Sequence, residues 1–239
     1  PRALEILVTL FAGSQFLTEI LLRHPEYLAR LVERKRLSHP RSHDQIIAEA
    51  RGIIAAHATT ADQLDALRRY QRWELLRIGA CDLLDLFDLP VVTAQLSELA
   101  DALVAACLDI AEAQTGISGD GLAVIALGKL GGRELNYSSD IDLLFIADPV
   151  SMANQRLGAR LIAALSDVTS EGFLYRVDMR LRPWGQTGAL VSSPDGYIAY
   201  LERHARLWEK QALLKARVIA GDRGVEEAFL QRIQGSLYG

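Results

Sequence analysis

The chain has 239 residues, a mass of 26.3 kDa and a formal net charge of −4, from 26 Lys and Arg against 30 Asp and Glu. This balance argues against a strongly basic nucleic-acid-binding protein, and the 50% hydrophobic content argues against disorder. The only two cysteines, Cys81 and Cys107, exclude a disulfide scaffold and a multi-cysteine zinc site, and they fit a reducing compartment.

No targeting or membrane-spanning segment is visible in the sequence. The apolar run over residues 122–127 is only six residues long, whereas a membrane span needs about 20 residues. The start of the chain, from Pro1 to Glu5, lacks Met and lacks a basic region followed by an apolar run. We therefore expect a piece of a longer cytoplasmic protein that has neither a membrane nor a nucleic acid as a partner.

Residues 1–118 have the apolar spacing of successive α-helices, with repeats at three- and four-residue steps. Ser42 is placed to cap one helix, and Thr60 is placed to cap another in a capping box with Gln63. A further helix is predicted over residues 91–113, and a glycine-rich loop follows it. The first half of the chain is therefore predicted to be helical throughout.

The periodicity changes after residue 118. Short apolar or alternating segments predict strands over residues 122–127, 141–147, 173–181 and 189–191, with a helix over residues 157–168. From residue 194 onward the helical period returns. The sequence predicts an α+β fold, mainly helical with a small mixed-sheet core. Its regions are a helical part over 1–118, a core over 119–195 and truncated C-terminal helices over 196–239.

Asp140 and Asp142 lie two residues apart at the start of a predicted apolar strand, where positions i and i+2 share a face. Neighbouring carboxylates repel each other unless a cation lies between them. Hard oxygen ligands at this spacing suit Mg²⁺ or Mn²⁺ bound together with substrate phosphates. The alternative is a solvated strand end that happens to carry two aspartates.

A glycine loop follows the first predicted strand. It contains Gly128, Lys129, Gly131 and Gly132. Glycine lets a backbone approach a phosphate closely, and the free N–H groups at a helix start attract anions. The loop is not a Walker A loop, because Ala123 and Leu130 stand where that pattern needs Gly and Ser or Thr. A purely structural turn is the alternative.

A third candidate feature is the alternating segment around Asp178. Residues 177–183 alternate strictly between apolar and polar, so on a strand Asp178, Arg180 and Arg182 share one face. A carboxylate beside two guanidinium groups suits a metal and phosphate site, because arginine binds phosphate bidentately. The alternative is an exposed face with ordinary ion pairs.

Taken together, these motifs resemble a known superfamily and one family within it. A strand, a glycine loop, Asp-x-Asp entering a second strand and a lone Asp on a later strand resemble the nucleotidyltransferases related to DNA polymerase beta. Residues 128–145, 175–183, 188–191 and 208–217 resemble bacterial glutamine synthetase adenylyltransferase/adenylyl-removing enzymes. Residues 11–17, 23–26 and 77–83 are similar to the helical region of those enzymes.

The resemblance implies a nucleotidyltransferase core over residues 119–195, with ATP or ADP as the nucleotide. It implies that Asp140, Asp142 and Asp178 are the catalytic residues and bind two divalent ions, Mg²⁺ or Mn²⁺. The phosphate-binding residues that it implies are Gly128, Lys129, Gly131, Gly132, Ser138, Ser139, Arg180, Arg182, Lys215 and Arg217. In the nucleotidyltransferases related to DNA polymerase beta this loop usually reads Gly-Ser, so Lys129 is a departure, and the role of the hydroxyl falls to Lys129, Ser138, Ser139 or the backbone.

The family's enzymes carry two related halves. The N-terminal half removes AMP from a tyrosine of glutamine synthetase with phosphate, releasing ADP, and the C-terminal half adds AMP from ATP. Residues 136–141 resemble the removing half, whereas residues 208–213 favour the adding half. We expect removal by phosphorolysis, with glutamine synthetase and a PII-type nitrogen signalling protein as partners. The alternatives are the adding half, a non-catalytic regulatory binding module, and a transferase acting on a small molecule or RNA.

Overall fold

A computed structural model describes residues 2–33 and 39–238 of the chain. The fold is mainly helical, with 62% helix, and contains a small five-stranded mixed sheet. This confirms the predicted α+β class. The sequence also has a basic run over residues 34–36, for which the acidic total charge predicts a solvated face rather than a nucleic-acid patch. This run lies outside the described residues.

Helices form the first half of the chain, as predicted. They are α1 (Arg2–Gly13), α2 (Gln15–Arg23), α3 (Tyr27–Val32), α4 (His43–Ala55), α5 (Thr60–Leu83) and α6 (Leu89–Thr115). Ser42 caps α4 in a capping box with Gln45, which confirms its predicted role. The cap of α5 is Thr59 rather than Thr60, because Thr59 has the extended backbone that an N-cap requires and accepts from the Asp62 amide.

The sheet and its surrounding helices form the second half. In chain order they are β1 (Leu122–Ala126), α7 (Gly128–Gly131), β2 (Ile141–Ala147), α8 (Met152–Ser166), β3 (Val177–Asp178), β4 (Val191–Ser192), α9 (Pro194–Arg203), α10 (Leu207–Leu213), β5 (Arg217–Gly221) and α11 (Arg223–Tyr238). The sheet order is β3–β2–β1–β5, and β4 also pairs with β2. Strand β1 is antiparallel to β2 and β5, whereas β3 and β4 are parallel to β2.

Two strand predictions were wrong in extent, and one strand was missed. The strand predicted over 173–181 is confined to Val177–Asp178, because the chain turns immediately afterwards. The strand predicted over 189–191 is Val191–Ser192. Strand β5 lies in a region predicted as helices alone. Its pairing with β1 contains a register shift, which breaks the simple alternation by which a strand is recognised in sequence.

The central strands β1 and β2 are buried on both faces. One face packs against the N-terminal helices and α8. The other packs against Tyr197, Leu201, Leu213 and Phe229 of the later helices. Helix α6 is long and apolar enough to cross a membrane by length and composition, but 78% of its apolar window is buried inside the structure. We therefore identify α6 as a core helix.

A charged network is buried among the N-terminal helices. The Glu74 and Arg77 side chains are both fully buried, and Arg77 Nε donates to Glu74 Oε2 at 2.8 Å. Arg41 lies 3.2 Å from the other oxygen of Glu74. Arg77 also donates to Gln95 Oε1 at 3.1 Å, which links α5 to α6. Because each charge is paired, the network tolerates burial that would otherwise be costly.

We expect Arg77→Ala to lower the free energy of unfolding by about 3–5 kcal/mol, because it leaves the buried Glu74 carboxylate without its main partner. Urea unfolding followed by circular dichroism measures this change. The matched control is Arg51→Ala, which removes an exposed ion pair with Asp109 and should cost about 0–1 kcal/mol. Equal losses in the two variants would contradict the stabilising role of the buried pair.

Candidate active site

The three aspartates predicted from sequence lie at one end of the sheet. Asp142 of β2 and Asp178 of β3 are direct partners across the parallel strand pair, so their side chains share one face. Asp140 immediately precedes β2 on the same face as Asp142. Strand pairing therefore brings together residues that are 36 positions or more apart in the sequence.

Two arginines hold the outer carboxylates. Arg176 Nε donates to Asp140 Oδ1 at 2.5 Å, and Arg176 Nη2 donates to the Ser138 carbonyl at 3.3 Å. Arg180 Nε and Nη2 donate to Asp178 Oδ2 at 2.8 and 2.5 Å, and the Arg180 amide donates to Oδ1 at 2.8 Å. Both guanidinium groups are largely exposed, so they remain accessible to an anionic ligand.

The pKa values of Asp142 and Asp178 are shifted in opposite directions. Burial raises the pKa of Asp142, and the negative charges of Asp178 and Asp140 raise it further, against opposing effects of Arg180 and Lys129. Hydrogen bonds from Arg180 lower the pKa of Asp178 below its usual range. The negative charge around Asp142 is therefore not fully balanced by Arg180 and Lys129, and this favours a bound cation.

The turn that follows β1 is built against Asp142. Gly128 begins helix α7 with a left-handed φ of +56°, and a Cβ at this position would overlap Oδ2 of Asp142. The Leu127 amide donates to the Asp142 carbonyl at 2.9 Å, which fixes the turn to β2. Only glycine satisfies both the backbone angle and the close approach. Lys129 is exposed on the same turn, near enough to lower the pKa of Asp142.

The other two glycines of the loop face another part of the chain. A Cβ at Gly131 would overlap the Lys215 carbonyl oxygen, and one at Gly132 would lie 2.7 Å from the Lys215 side chain. Lys215 Nζ in turn lies 2.6 Å from Glu134 Oε2. In this arrangement the glycine pair accommodates the segment that leads into β5.

Of four more predicted residues, Arg182 and Arg217 bind partners other than Asp140, Asp142 and Asp178. Arg217 pairs with Asp101 of α6, and Arg182 donates to the Gln186 carbonyl at 3.0 Å. Because β3 ends at Asp178, the alternation expected to align Arg182 with it does not continue. The remaining two, Ser138 and Ser139, lie in the loop before β2; the Ser139 hydroxyl donates to Asn136 Oδ1.

Sequence reasoning missed Arg176 as a candidate site residue. It precedes Asp178 by two positions, so the same alternation that suggested Arg180 also applied to it. The alternation that includes Arg176 is present in the sequence, but only the pairing of β2 with β3 brings Arg176 to Asp140.

The chemistry of the donor set fits a divalent cation in part. Asp142 and Asp178 present carboxylates side by side, as Mg²⁺ or Mn²⁺ sites require. Across residues 2–33 and 39–238, however, no three acidic, histidine or cysteine side chains are arranged to hold a metal ion. Asp140 is engaged by Arg176 instead. A three-aspartate metal site therefore stays a prediction, and it requires Asp140 to exchange its partner.

Comparison with known proteins identifies relatives along almost the whole chain. The glutamate-ammonia ligase adenylyltransferase family matches residues 4–232. A bifunctional glutamine synthetase adenylyltransferase/adenylyl-removing enzyme from Thioalkalivibrio sulfidiphilus is 38% identical over 96% of this chain. Proteins of the same name from Chromobacterium violaceum and Shewanella loihica are 35% and 38% identical over 96% and 92% of it. The chain spans about a quarter of the length of these relatives, 26%, 26% and 25% respectively.

We expect Gly128→Ala to weaken Mn²⁺ binding by at least about tenfold, because its methyl group displaces the Asp142 carboxylate. Titration calorimetry with Mn²⁺ measures the affinity. The matched control is Gly116→Ala, since Gly116 also has a positive φ but no neighbour that a Cβ would touch. Both changes should cost about 1–2 kcal/mol of backbone strain. Unchanged Mn²⁺ affinity in Gly128→Ala would contradict the role assigned to this contact.

Proposed function

We propose that this chain, which belongs to the glutamate-ammonia ligase adenylyltransferase family, transfers nucleotidyl groups at a tyrosine of glutamine synthetase. The relatives' name covers both addition and removal of AMP. The regulated process is therefore nitrogen assimilation, and the expected location is the cytoplasm. The partners we propose are glutamine synthetase itself and a PII-type signalling protein.

The observation that carries this proposal is the register of β2 and β3. It sets Asp142 beside Asp178, and Gly128 turns directly over the Asp142 carboxylate. Catalysis of phosphoryl-type transfer is mostly positioning and electrostatic stabilisation. Asp142 and Asp178, the Gly128 turn and the exposed arginines are groups that can position and stabilise a phosphoryl group.

Within this function we propose removal of AMP by phosphorolysis, so that AMP-tyrosine and phosphate give tyrosine and ADP. The segment 136–141 supports this direction through its resemblance to the removing half. The segment 208–213, which favours addition by resemblance, has a local structural task. Glu209 is buried, accepts from the Tyr200 hydroxyl at 2.6 Å and from the Arg206 amide at 2.7 Å, and so holds the start of α10.

In the mechanism we propose, Asp142 and Asp178 would hold a divalent cation, and Asp140 would be a further ligand once Arg176 binds the substrate instead of Asp140. When bound, Mg²⁺ or Mn²⁺ would neutralise negative charge around the α-phosphorus and on the attacking oxygen. The protein's carboxylates fix where that neutralisation acts. This role is a proposal for Asp140, because the residue lies against Arg176 in the present arrangement.

The cationic groups handle phosphate. We propose that Arg176 and Arg180 bind the incoming phosphate, because their guanidinium groups are exposed beside the carboxylates. Lys129 and the backbone of the Gly128 turn contact the AMP phosphate, since the first amides of a helical turn attract anions. Phosphate oxygen then attacks the α-phosphorus, the bond to the tyrosine oxygen breaks, and the phenolate leaves with a proton from solvent.

One observation favours a second candidate, a non-catalytic binding module. Both outer carboxylates are ion-paired with arginine, which is an arrangement that can bind a partner without turnover. The assay below separates the two.

We expect the chain, incubated with Mg²⁺ and glutamine synthetase carrying labelled AMP, to release label as ADP only when phosphate is present. Thin-layer separation of the nucleotides measures the product. Transfer of label from ATP to unmodified glutamine synthetase, without release, would instead assign the adding direction. Binding of glutamine synthetase with neither reaction would favour the binding module and contradict the proposed catalysis.

We expect Asp142→Asn to lower the turnover number by at least about a hundredfold, because it removes the central charge that positions the cation. The matched control is Asp109→Asn on α6, whose carboxylate pairs with an exposed arginine away from the sheet end. Unfolding curves show whether each variant is folded. Near-native turnover of a folded Asp142→Asn variant would remove Asp142 from the mechanism.

A further inference from the structure

The Arg217 guanidinium group binds Asp101 and the end of the glycine turn, rather than Asp140, Asp142 or Asp178. Arg217 Nη1 and Nη2 bind the two oxygens of Asp101 at 2.6 and 3.1 Å, in a bidentate pair. The Asp101 side chain is 1% exposed and belongs to the core helix α6. The Arg217 side chain is only 22% exposed, because it lies between its own strand β5 and helix α6.

The same guanidinium group holds the backbone of helix α7. Arg217 Nη2 also donates to the Leu130 carbonyl at 3.0 Å, and Nε approaches the Gly131 carbonyl at 3.5 Å. These carbonyls end the short turn, where they lack the partners of a longer helix; the Leu130 carbonyl also accepts from the Arg133 amide at 3.1 Å. A cation at the end of a helix is also favoured by its dipole. Arg217 therefore adds a charged donor at the end of α7, while Asp101 holds Arg217.

A continuous set of contacts joins Asp101 to the reacting end of the sheet. Asp101 binds Arg217, Arg217 binds the end of α7, and Gly128 at the start of α7 lies against the Asp142 carboxylate. Burial raises the pKa of Asp101, although the hydrogen bonds from Arg217 oppose this. Because Asp101 is buried and binds Arg217 bidentately, the Arg217 side chain has few alternative arrangements. Arg217 therefore keeps the turn in one position.

We propose that Arg217 and Asp101 are positioning residues, which hold the Gly128–Gly131 turn against Asp142 so that the AMP phosphate bound at the turn meets the carboxylates in one geometry. This inference rests on the proposed function and deepens it. It assigns Arg217 a role behind the turn, in place of the direct phosphate contact that the family resemblance implied.

The first test measures the turn itself, independently of activity. In hydrogen–deuterium exchange, the Gly131 and Gly132 amides, which donate within the turn to Leu127 and Gly128, report its stability. We expect Arg217→Lys and Asp101→Asn to speed their exchange by at least about tenfold relative to amides of β1. Lysine keeps the charge but cannot bind two carboxylate oxygens and a carbonyl in one fork.

The matched control is Glu74→Gln, which also weakens a buried carboxylate–arginine pair in the N-terminal helices. Glu74 binds Arg77 and Arg41 and not Arg217. We expect this variant to lose stability without selective exchange at Gly131 and Gly132. If Glu74→Gln speeds that exchange as much as Arg217→Lys does, the positioning role is overturned.

The second test separates positioning from simple loss of stability. We expect Arg217→Lys to restore the melting temperature lost in Arg217→Ala, yet to keep turnover at least about tenfold below wild type. The half-saturating concentration of adenylylated glutamine synthetase should rise, because the turn contacts the AMP phosphate, whereas that of free phosphate, which Arg176 and Arg180 bind, should not change. Arg217→Lys with native turnover and native exchange at the turn would overturn the inference. An inactive wild-type chain would instead count against the proposed function, and the exchange measurement would still decide the positioning role.

Discussion

Repulsion between carboxylates is the constraint around which this sheet end is organised. Asp142 and Asp178 lie side by side because β2 and β3 are parallel and in register, and Asp140 adds a third negative charge. Such a cluster is unfavourable unless cations compensate it. Arg176 and Arg180 supply part of that compensation from the segment around β3. The remaining imbalance at Asp142 is what makes the region suited to a cation and a phosphate.

The helical half of the chain holds the loops that surround these carboxylates. Ser97 of α6 accepts from the Leu135 amide at 3.2 Å, and Asp82 of α5 accepts from the Tyr137 hydroxyl at 3.0 Å. Asp101 binds Arg217 behind the glycine turn. The N-terminal helices are therefore more than a neighbouring domain in this structure. They contribute polar anchors to the loop before β2, and these anchors are rigid because α5 and α6 are buried.

The glycine loop illustrates how one sequence motif can divide its tasks. Gly128 has a positive φ and lies too close to the Asp142 carboxylate for any side chain. Gly131 instead leaves room for the backbone of Lys215, which leads into β5. Both are required for steric reasons, but against different neighbours. A sequence motif alone assigns the same role to both, because it contains no information about which segment packs on each glycine.

The sequence by itself determined the α+β class, the order of the main helices and strands, and the placement of Asp140 and Asp142 two residues apart on one face. These follow from local periodicity and from spacing within a strand, which depend on near neighbours along the chain. Only the tertiary structure decided that β5 joins β1, that β3 ends at Asp178, and that Arg176 and Arg217 bind Asp140 and Asp101. Those features are contacts between distant segments, and packing of the whole chain selects them.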